Sequence, residues 1–263
     1  MNTNNLKKSE KSRGIVAFAT NTDTTDYVSI ATETLKLASH QLQLPHTLIT
    51  GGSSDNFNSR YDIDTGKYVS WQNFNRYQAY ELSPYNETLV IDADYLILDN
   101  NLGKLFDIDF DYLLQRNSYA LTQHWPNAMG TNSLPHVWAT VFAFRKTDKS
   151  RNFFNLVKRI QENYGYYHML FNIRERNYRN DYAFAMADII LNGYCINPIS
   201  IPGNMLTVDQ VINSIEIKKN SLVIRDDNKA YIVPKTNLHI MSKAYLQSKN
   251  FYRLIEEIIN ESA

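Results

Sequence analysis

Residues 88–100, TLVIDADYLILDN, constrain this chain more than any other stretch. Leu89, Val90 and Ile91 make a short branched apolar run that ends in Asp92-Ala93-Asp94, and a second apolar run, residues 95–98, follows at once. The turn-forming Ser83-Pro84-Tyr85-Asn86 precedes the first run, which therefore reads as a buried strand. Two carboxylates at i and i+2, at the end of such a strand, are expensive to leave unpaired away from water. A divalent cation offsets that cost. Hard ions such as Mg²⁺ and Mn²⁺ take carboxylate oxygens and often share their other positions with a substrate's phosphates. The bland alternative is a loop with two solvated acids.

What precedes this stretch reads as a strand, a helix and a strand. Residues 14–19 (GIVAFA) form a first strand. A polar loop leads to Asp26, a suitable N-cap for a helix over 27–42, where Val28, Ala31, Leu35 and Ala38 recur at helical spacing. Residues 45–50 read as the second strand. This βαβ order argues for a parallel sheet. Ligands of such sheets bind beyond the carboxyl ends of the strands, which puts Ala19, Thr20 and Asn21 near a ligand. Residues 51–70 read as an irregular excursion and 71–82 as a helix carrying Arg76.

After the acidic stretch, residues 107–111 (DIDFD) read as a solvated loop entering a helix, and 118–122 as an edge strand. Residues 124–130 lack periodicity and suit a loop over an acceptor. Residues 136–144 read as a core strand and 149–164 as an amphipathic helix. Residues 166–179 mix aromatics with Arg174, Arg176 and Arg179, which fits a surface helix or a phosphate-contacting face. Asp181 precedes a helix over 182–191, where the helix dipole favours it. Residues 196–202, with two prolines, suit an edge strand. Residues 222–224 and 231–233 flank a turn at Asp226 and Asp227 and read as a hairpin. His239 and Lys243 follow, and residues 249–262 close the chain as an amphipathic helix.

Several classes of protein drop out. The formal net charge is zero, so no global field draws the chain to nucleic acid or membrane, although a local basic surface remains open. Cys195 is alone, which excludes an intramolecular disulfide and a cysteine-rich zinc site. No run approaches the roughly 20 apolar residues of a membrane span, and the polar start, MNTNNLKKSEKSRG, lacks the apolar segment of a signal peptide. We therefore expect a cytoplasmic protein, with residues 1–12 a flexible tail and 13–263 one domain. There is no internal repeat, no phosphate-cradling Gly-rich loop and no Ser-His-Asp or Cys-His pattern.

The order strand, Asp-x-Asp, strand resembles the metal and nucleotide-sugar motif of the GT-A glycosyltransferases. Residues 75–84, NRYQAYELSP, together with that motif resemble the glycogenin and galactosyltransferase-like branch, where an Arg-bearing helix leads through a Leu-x-Pro turn to the Asp-x-Asp strand. The resemblance spans residues 14–243. It implies an α/β fold: one GT-A-like, Rossmann-like domain with a mainly parallel central sheet flanked by helices. It implies a metal-dependent enzyme moving a sugar from a nucleotide-sugar donor, such as a UDP-sugar, to a hydroxyl. Asp92, Asp94 and His239 would hold Mn²⁺ or Mg²⁺, with Ala93 beside the donor. Ala19, Thr20 and Asn21 would meet the base and ribose. Arg76 would reach the diphosphate or sugar, and Lys243 a donor phosphate. Asp181 would face the sugar and acceptor, as general base if the enzyme inverts or as an orienting group if it retains.

Two departures stand out. Trp138-Ala139-Thr140 replaces the family's Asn-Ala-Gly, and Lys243 follows His239 by four residues without the family's Gly or Trp. The wording RGIVAFA and LSPYNETL further resembles glycosyltransferases of tailed bacteriophages. That likeness suggests a hydroxymethylated pyrimidine in phage DNA as acceptor, with residues 166–179 along the DNA and the host cytoplasm as location. A surface polysaccharide or a protein hydroxyl competes for that role. Two other classes remain: a non-catalytic GT-A relative that binds or scaffolds, and a sugar nucleotidyltransferase, against which the missing Gly-rich loop counts.

Overall fold

A computed structural model describes residues 12–50, 57–72, 75–123, 128–129 and 134–261. The expected tail lies outside them except for Ser12, and so does most of the loop expected over the acceptor. Among the described residues no helix is long and apolar enough to cross a membrane.

The chain opens with β1 (Arg13–Ala19), buried along its length after Arg13. Asp26 then caps α1 (Tyr27–Leu42), accepting from the Ser29 N–H at 3.0 Å. β2 (His46–Thr50) returns parallel to β1. Next come β3 (Phe57–Asp62) and β4 (Lys67–Gln72), an antiparallel hairpin where an irregular excursion was expected. Its turn closes with Gly66 N–H donating to Asp62 O at 2.9 Å, and Gly66 has φ +66°, a conformation that glycine adopts at little cost. The helix expected over 71–82 is also corrected. Residues 71–72 end β4, Arg76–Gln78 form one 3₁₀ turn, and α2 is only Ala79–Leu82. Pro84 holds Ser83 extended, at φ −65° and ψ 129°, and stops the helix there.

β5 (Glu87–Ile91) is wholly buried and leads through Asp92-Ala93-Asp94 into β6 (Tyr95–Leu96). A 3₁₀ stretch, Asn101–Asp107, follows. The acidic residues 107–111 then enter β7 (Tyr112–Gln115) rather than a helix. Asp111 spends its side chain on Thr147 Oγ1 at 2.7 Å, and Asp109 pairs with Arg145 at 3.2 Å. β8 (Ser118–Ala120) is the expected edge strand. β9 (Ala128–Met129) and β10 (Leu134–Pro135) make a short ladder, and β11 (Trp138–Arg145) is the expected core strand.

α3 (Asp148–Glu162) is capped by Thr147, and α4 (Tyr164–Leu170) and α5 (Asn180–Leu191) follow. Residues 196–202 form no strand. Asn197 Oδ1 takes the Ile199 N–H at 3.1 Å, and Pro198 and Pro202 have no N–H for a ladder. The strand comes later, as β12 (Met205–Val208). β13 (Ser214–Ile217), β14 (Ser221–Arg225) and β15 (Ala230–Pro234) form an antiparallel sheet that contains the expected hairpin, with Asp226 closing its turn by accepting from Asn228 and Lys229. β16 (Asn237–Ile240), α6 (Lys243–Leu246) and α7 (Lys249–Glu261) complete the chain.

The central sheet has the order β2-β1-β5-β11-β7. β1 runs parallel to β2 and β5, and β11 runs antiparallel to β5 and β7, so β11 alone opposes the rest. The mainly parallel α/β sheet expected from the sequence is therefore present, with one reversed strand. Strand residues alternate between its faces. Val16, Phe18 and Val90 meet Phe153, Phe154 and Phe184 of α3 and α5, whereas Ile15, Ala17, Leu89 and Ile91 meet Leu35 and Ala38 of α1. A second sheet, β6-β16-β12-β8, packs beside it with α7 and β13–β15 in a separate apolar cluster.

Two polar contacts fix this arrangement. Glu87 opens β5 opposite Arg13 of β1 and Arg145 of β11, and it accepts from both, at 2.6 Å and 2.8 Å. Glu87 is 1% exposed, so this triad pins the register of three strands. Asp64, in the β3–β4 turn, accepts from Ser242 Oγ at 2.6 Å, Lys243 N–H at 2.6 Å and Ala244 N–H at 3.1 Å. It ties the hairpin to the start of α6.

Burial pushes the Glu87 carboxyl up, but the two arginines outweigh it and hold it below its ordinary range. Its contribution is therefore complete above the ordinary carboxylate pKa and is lost as pH falls through the lowered one. Urea unfolding should show wild type losing more stability than Glu87→Gln between about pH 5 and pH 3, with Glu87→Gln less stable by about 3 kcal/mol at neutral pH. Equal losses in the two proteins would sink the assignment. Asp64→Ala, which leaves three donors at a helix start without their acceptor, should cost about 1–2 kcal/mol in the same experiment.

Candidate metal centre and donor cleft

The site forms where the chain leaves one sheet for the other. β5 ends at Ile91, and Asp92 N–H donates to Thr140 O of β11 at 2.8 Å. Tyr95 N–H donates back to Asp92 O at 3.2 Å, closing the turn that aims both carboxylates. Ala93, between them, packs with Ala19 of β1 and Ala31 of α1. Its carbonyl accepts from Thr34 Oγ1 at 3.0 Å. A larger residue at 93 would push α1 away from the strand end. In β6, Tyr95 pairs with His239 of β16, and Ile240 N–H donates to Asp94 O at 3.0 Å. The ladder thus delivers His239 to Asp94.

The side chains follow from that backbone. Asp92, Asp94 and His239 each offer a ligand atom, all within 4.8 Å of one another, and among the described residues they are the His, Cys, Asp and Glu set close enough to share an ion. His239 Nε2 lies 3.6 Å from Asp94 Oδ1. That is too long for a hydrogen bond, yet ligands of one ion with bonds of roughly 2.1 Å stand roughly 3–4 Å apart. Arg76 pairs with Asp92 Oδ1 and donates to Ala139 O at 2.8 Å. Lys243 pairs with Asp94 Oδ2 and donates to Ile240 O at 3.0 Å. Lys243 is only 4% exposed, so its ammonium needs these partners.

The electrostatics agree with the geometry. Burial alone pushes the Asp94 carboxyl up, but the Lys243 ammonium and His239 hold it well below the usual carboxylate range. Burial lowers the Arg76 pKa, and the charges of Asp181 and Asp94 draw it back. A guanidinium stays charged regardless.

The donor set fits a divalent cation: the two carboxylates offer hard oxygens and the imidazole adds a nitrogen ligand. One oxygen of each carboxylate is held by a fixed cation, which orients the other. His239 Nδ1 is buried with no hydrogen-bond partner among the described residues, so no protein acceptor there sets the ring's tautomer.

The other expected residues fall around this centre in different ways. Asp181, in the first turn of α5, accepts from Ala139 N–H at 2.8 Å and from Arg179 at 3.0 Å. It therefore joins α5 to the strand that also holds Arg76. Thr20, at the carboxyl end of β1, buries an Oγ1 with no partner among the described residues. Ala19 is core, packed on Ala93. Asn21 spends its Oδ1 on the Val28 N–H at 2.9 Å, a helix-capping role, and its side chain also hydrogen-bonds Asp26.

Two neighbours, Asp64 and His136, went unmarked in the sequence, and a third, Trp138, stood out only as a departure from the family's motif. Asp64 bonds the Lys243 backbone, as described above, and only an unrecognised turn signal, Asp-Thr-Gly at 64–66, marks it. Trp138 lies on the strand read as core, in the place of the family's Asn-Ala-Gly, and its ring stands edge-on to His239 with centroids 5.5 Å apart. His136 packs on Trp138 at 5.3 Å, and burial lowers its pKa against the pull of Asp181.

No protein-family model matches the chain, and no curated protein matches it. Solved structures do. The galactosyltransferase LgtC, in complex with donor and acceptor sugar analogues, superposes with a TM-score of 0.53 at 12% identity, over 94% of this chain and 95% of LgtC. The catalytic domain of Drosophila β1,4-galactosyltransferase 7 with xylobiose gives 0.38 at 13% identity, over 93% and 79%. The apo bifunctional glycosyltransferase WbbM gives 0.37 at 12% identity over 59% of this chain, which spans only 35% of WbbM. The LgtC superposition runs nearly end to end, and on it this chain has the fold of the GT-A glycosyltransferases.

Proposed function

We propose that this protein transfers a sugar from a nucleotide-sugar donor to a hydroxyl acceptor at the Asp92, Asp94 and His239 centre. One observation carries the reading: two carboxylates and an imidazole converge within 4.8 Å at the strand end of a GT-A fold. A bound Mn²⁺ or Mg²⁺ would neutralise the donor diphosphate and the charge that develops on the leaving nucleotide.

The chain's own side chains supply the rest. Arg76 Nε is buried with no partner among the described residues, which leaves a donor for a phosphate or sugar oxygen. Lys243 brings a second cation to the leaving group. The Thr20 hydroxyl, without a partner among the described residues, suits the base or ribose, whereas the Asn21 side chain is already spent on Val28 and Asp26. Asp181 has both oxygens engaged, which favours orienting the sugar over taking a proton from the acceptor. Trp138-Ala139-Thr140 would meet the donor sugar. A DNA acceptor, the finer reading of the sequence, draws support from exposed Arg174 and Arg176, but Arg179 turns to Asp181 and shortens that basic track. The acceptor is therefore left as a hydroxyl.

A second reading rests on the same side chains. Arg76 and Lys243 already compensate both aspartates, so the centre is electrically closed without an ion, as a non-catalytic binding protein would require. Calorimetry separates the two. Titration of UDP and UDP-sugars should show binding that needs Mn²⁺ and weakens more than about tenfold in Asp94→Ala, a change of about 1.4 kcal/mol. If other nucleoside diphosphates also fail to bind with metal, the enzymatic reading is wrong and the second one stands.

Lys243→Ala gives a sharper test, because the lysine competes with a cation for Asp94 and yet helps bind the donor. Mn²⁺ alone should bind the variant at least as tightly as wild type, while UDP with Mn²⁺ should bind about tenfold more weakly. Parallel losses in both titrations would mean that Lys243 only holds the fold.

A further inference from the structure

The surface helix α4 has its polarity arranged in an unusual way. From Tyr164 to Ile173 the sequence YGYYHMLFNI carries no Asp, Glu, Lys or Arg. Its inner face is apolar, with Tyr164 buried and Tyr167 and Phe171 half-buried against the cluster shared by α3 and α5. Its outer face is apolar too. Tyr166, Met169 and Leu170 are 61%, 67% and 55% exposed. They stand at i, i+3 and i+4, which sets them side by side on one face of a helix. Surface helices normally turn polar side chains to solvent, and a contiguous apolar patch marks an interaction site. Just past this helix, Arg174 and Arg176 are exposed, and neither has an ion-pair partner among the described residues.

We propose that α4 docks this protein on an anionic membrane surface, with Tyr166, Met169 and Leu170 entering the headgroup boundary and Arg174 and Arg176 meeting lipid phosphates. The pairing of an apolar face with flanking cations is the chemistry of interfacial helices. With zero net charge overall, the attraction is local and acts within a Debye length of the lipid. A nucleic acid fits less well. Its backbone needs a track of cations, whereas Met169 and Leu170 offer a phosphate nothing.

The geometry ties this face to the cleft. The Tyr164 ring stands edge-on to Tyr178, with centroids 5.5 Å apart, and the Tyr178 hydroxyl donates to Asn180 Oδ1 at 2.9 Å, one residue before Asp181. The docking helix is thus packed, through its inner face, against the segment that leads into Asp181. The inference holds whether or not the cleft transfers sugar.

Flotation of the full chain with phosphatidylcholine vesicles, with and without phosphatidylglycerol, tests it. Wild type should float with the anionic vesicles and much less with phosphatidylcholine alone. Met169→Glu combined with Leu170→Glu should lower the bound fraction about tenfold. Arg174→Gln with Arg176→Gln should erase the preference for phosphatidylglycerol. All variants should keep the wild-type Tm and the same UDP binding with Mn²⁺, which separates failure at this face from failure at the donor cleft. Wild type that stays off anionic vesicles overturns the proposal, as does flotation indifferent to the glutamates. Duplex DNA binding that needs the same arginines, or a dimer dispersed by Leu170→Glu, would give the face another partner and overturn it equally.

Discussion

A carboxylate removed from water must be compensated, and around Asp94 the compensation joins distant parts of the chain. Lys243 from the start of α6 takes one oxygen, and His239 from β16 faces the other. Arg76, from a short turn before β5, does the same for Asp92. Lys243 and Arg76 are themselves buried and need the acids as much as the acids need them. Removing one member leaves an unpaired charge in a closed place. The same charges give the centre its chemistry, because they leave oriented oxygens beside an imidazole.

Compensation works only if the two sheets meet in one register. β5 carries the acids out of the central sheet, and β6 carries them into the second. At the far end of β5, the Arg13, Glu87 and Arg145 triad prevents a slip along the strand. A slip of one residue would exchange the faces of Leu89, Val90 and Ile91 and turn Asp92 away from Arg76. Core packing and site geometry are therefore set by the same strand.

Much of this was legible in the residues, for identifiable reasons. β1, α1 and β2 showed their periodicities, and β5 showed itself as an apolar run ending in charges that a buried strand seldom carries. α3 and α7 have strong apolar stripes, and the Asp226 turn marked its hairpin. The grouping of His239 with Asp92 and Asp94 came from family resemblance rather than spacing, and that resemblance put Lys243 on a donor phosphate, not on Asp94 as the structure has it. Other features left weaker traces. Alternation in β3 and β4 was masked by polar residues, and β12 is a four-residue strand that begins just past the Pro202-Gly203-Asn204 turn, whereas the strand was expected before it. Arg76 was expected on a full helix, but Pro84 and the preceding strand leave it a single 3₁₀ turn. Asp64 acts 178 positions along the chain from Ser242, through that residue's hydroxyl and two backbone donors that no residue pattern advertises. Trp138 was read as core and is core, but its ring edge also confines His239.

The spread of the site along the chain also sets an order of assembly. β1, β2, β5, β7 and β11, with α3 and α5, lie before residue 192, so the central sheet and its helical cover can pack while synthesis continues. β12 and β16 come afterwards, and Lys243 emerges later still. Until it does, Asp94 sits at the end of a finished strand with its compensating ammonium not yet made. A growing chain thus passes through a stage in which the scaffold is folded and its acidic turn is open to solvent. The segment from β12 to α7 both joins the second apolar cluster and neutralises the turn, so the closing of that cluster and the completion of the centre are a single event in time.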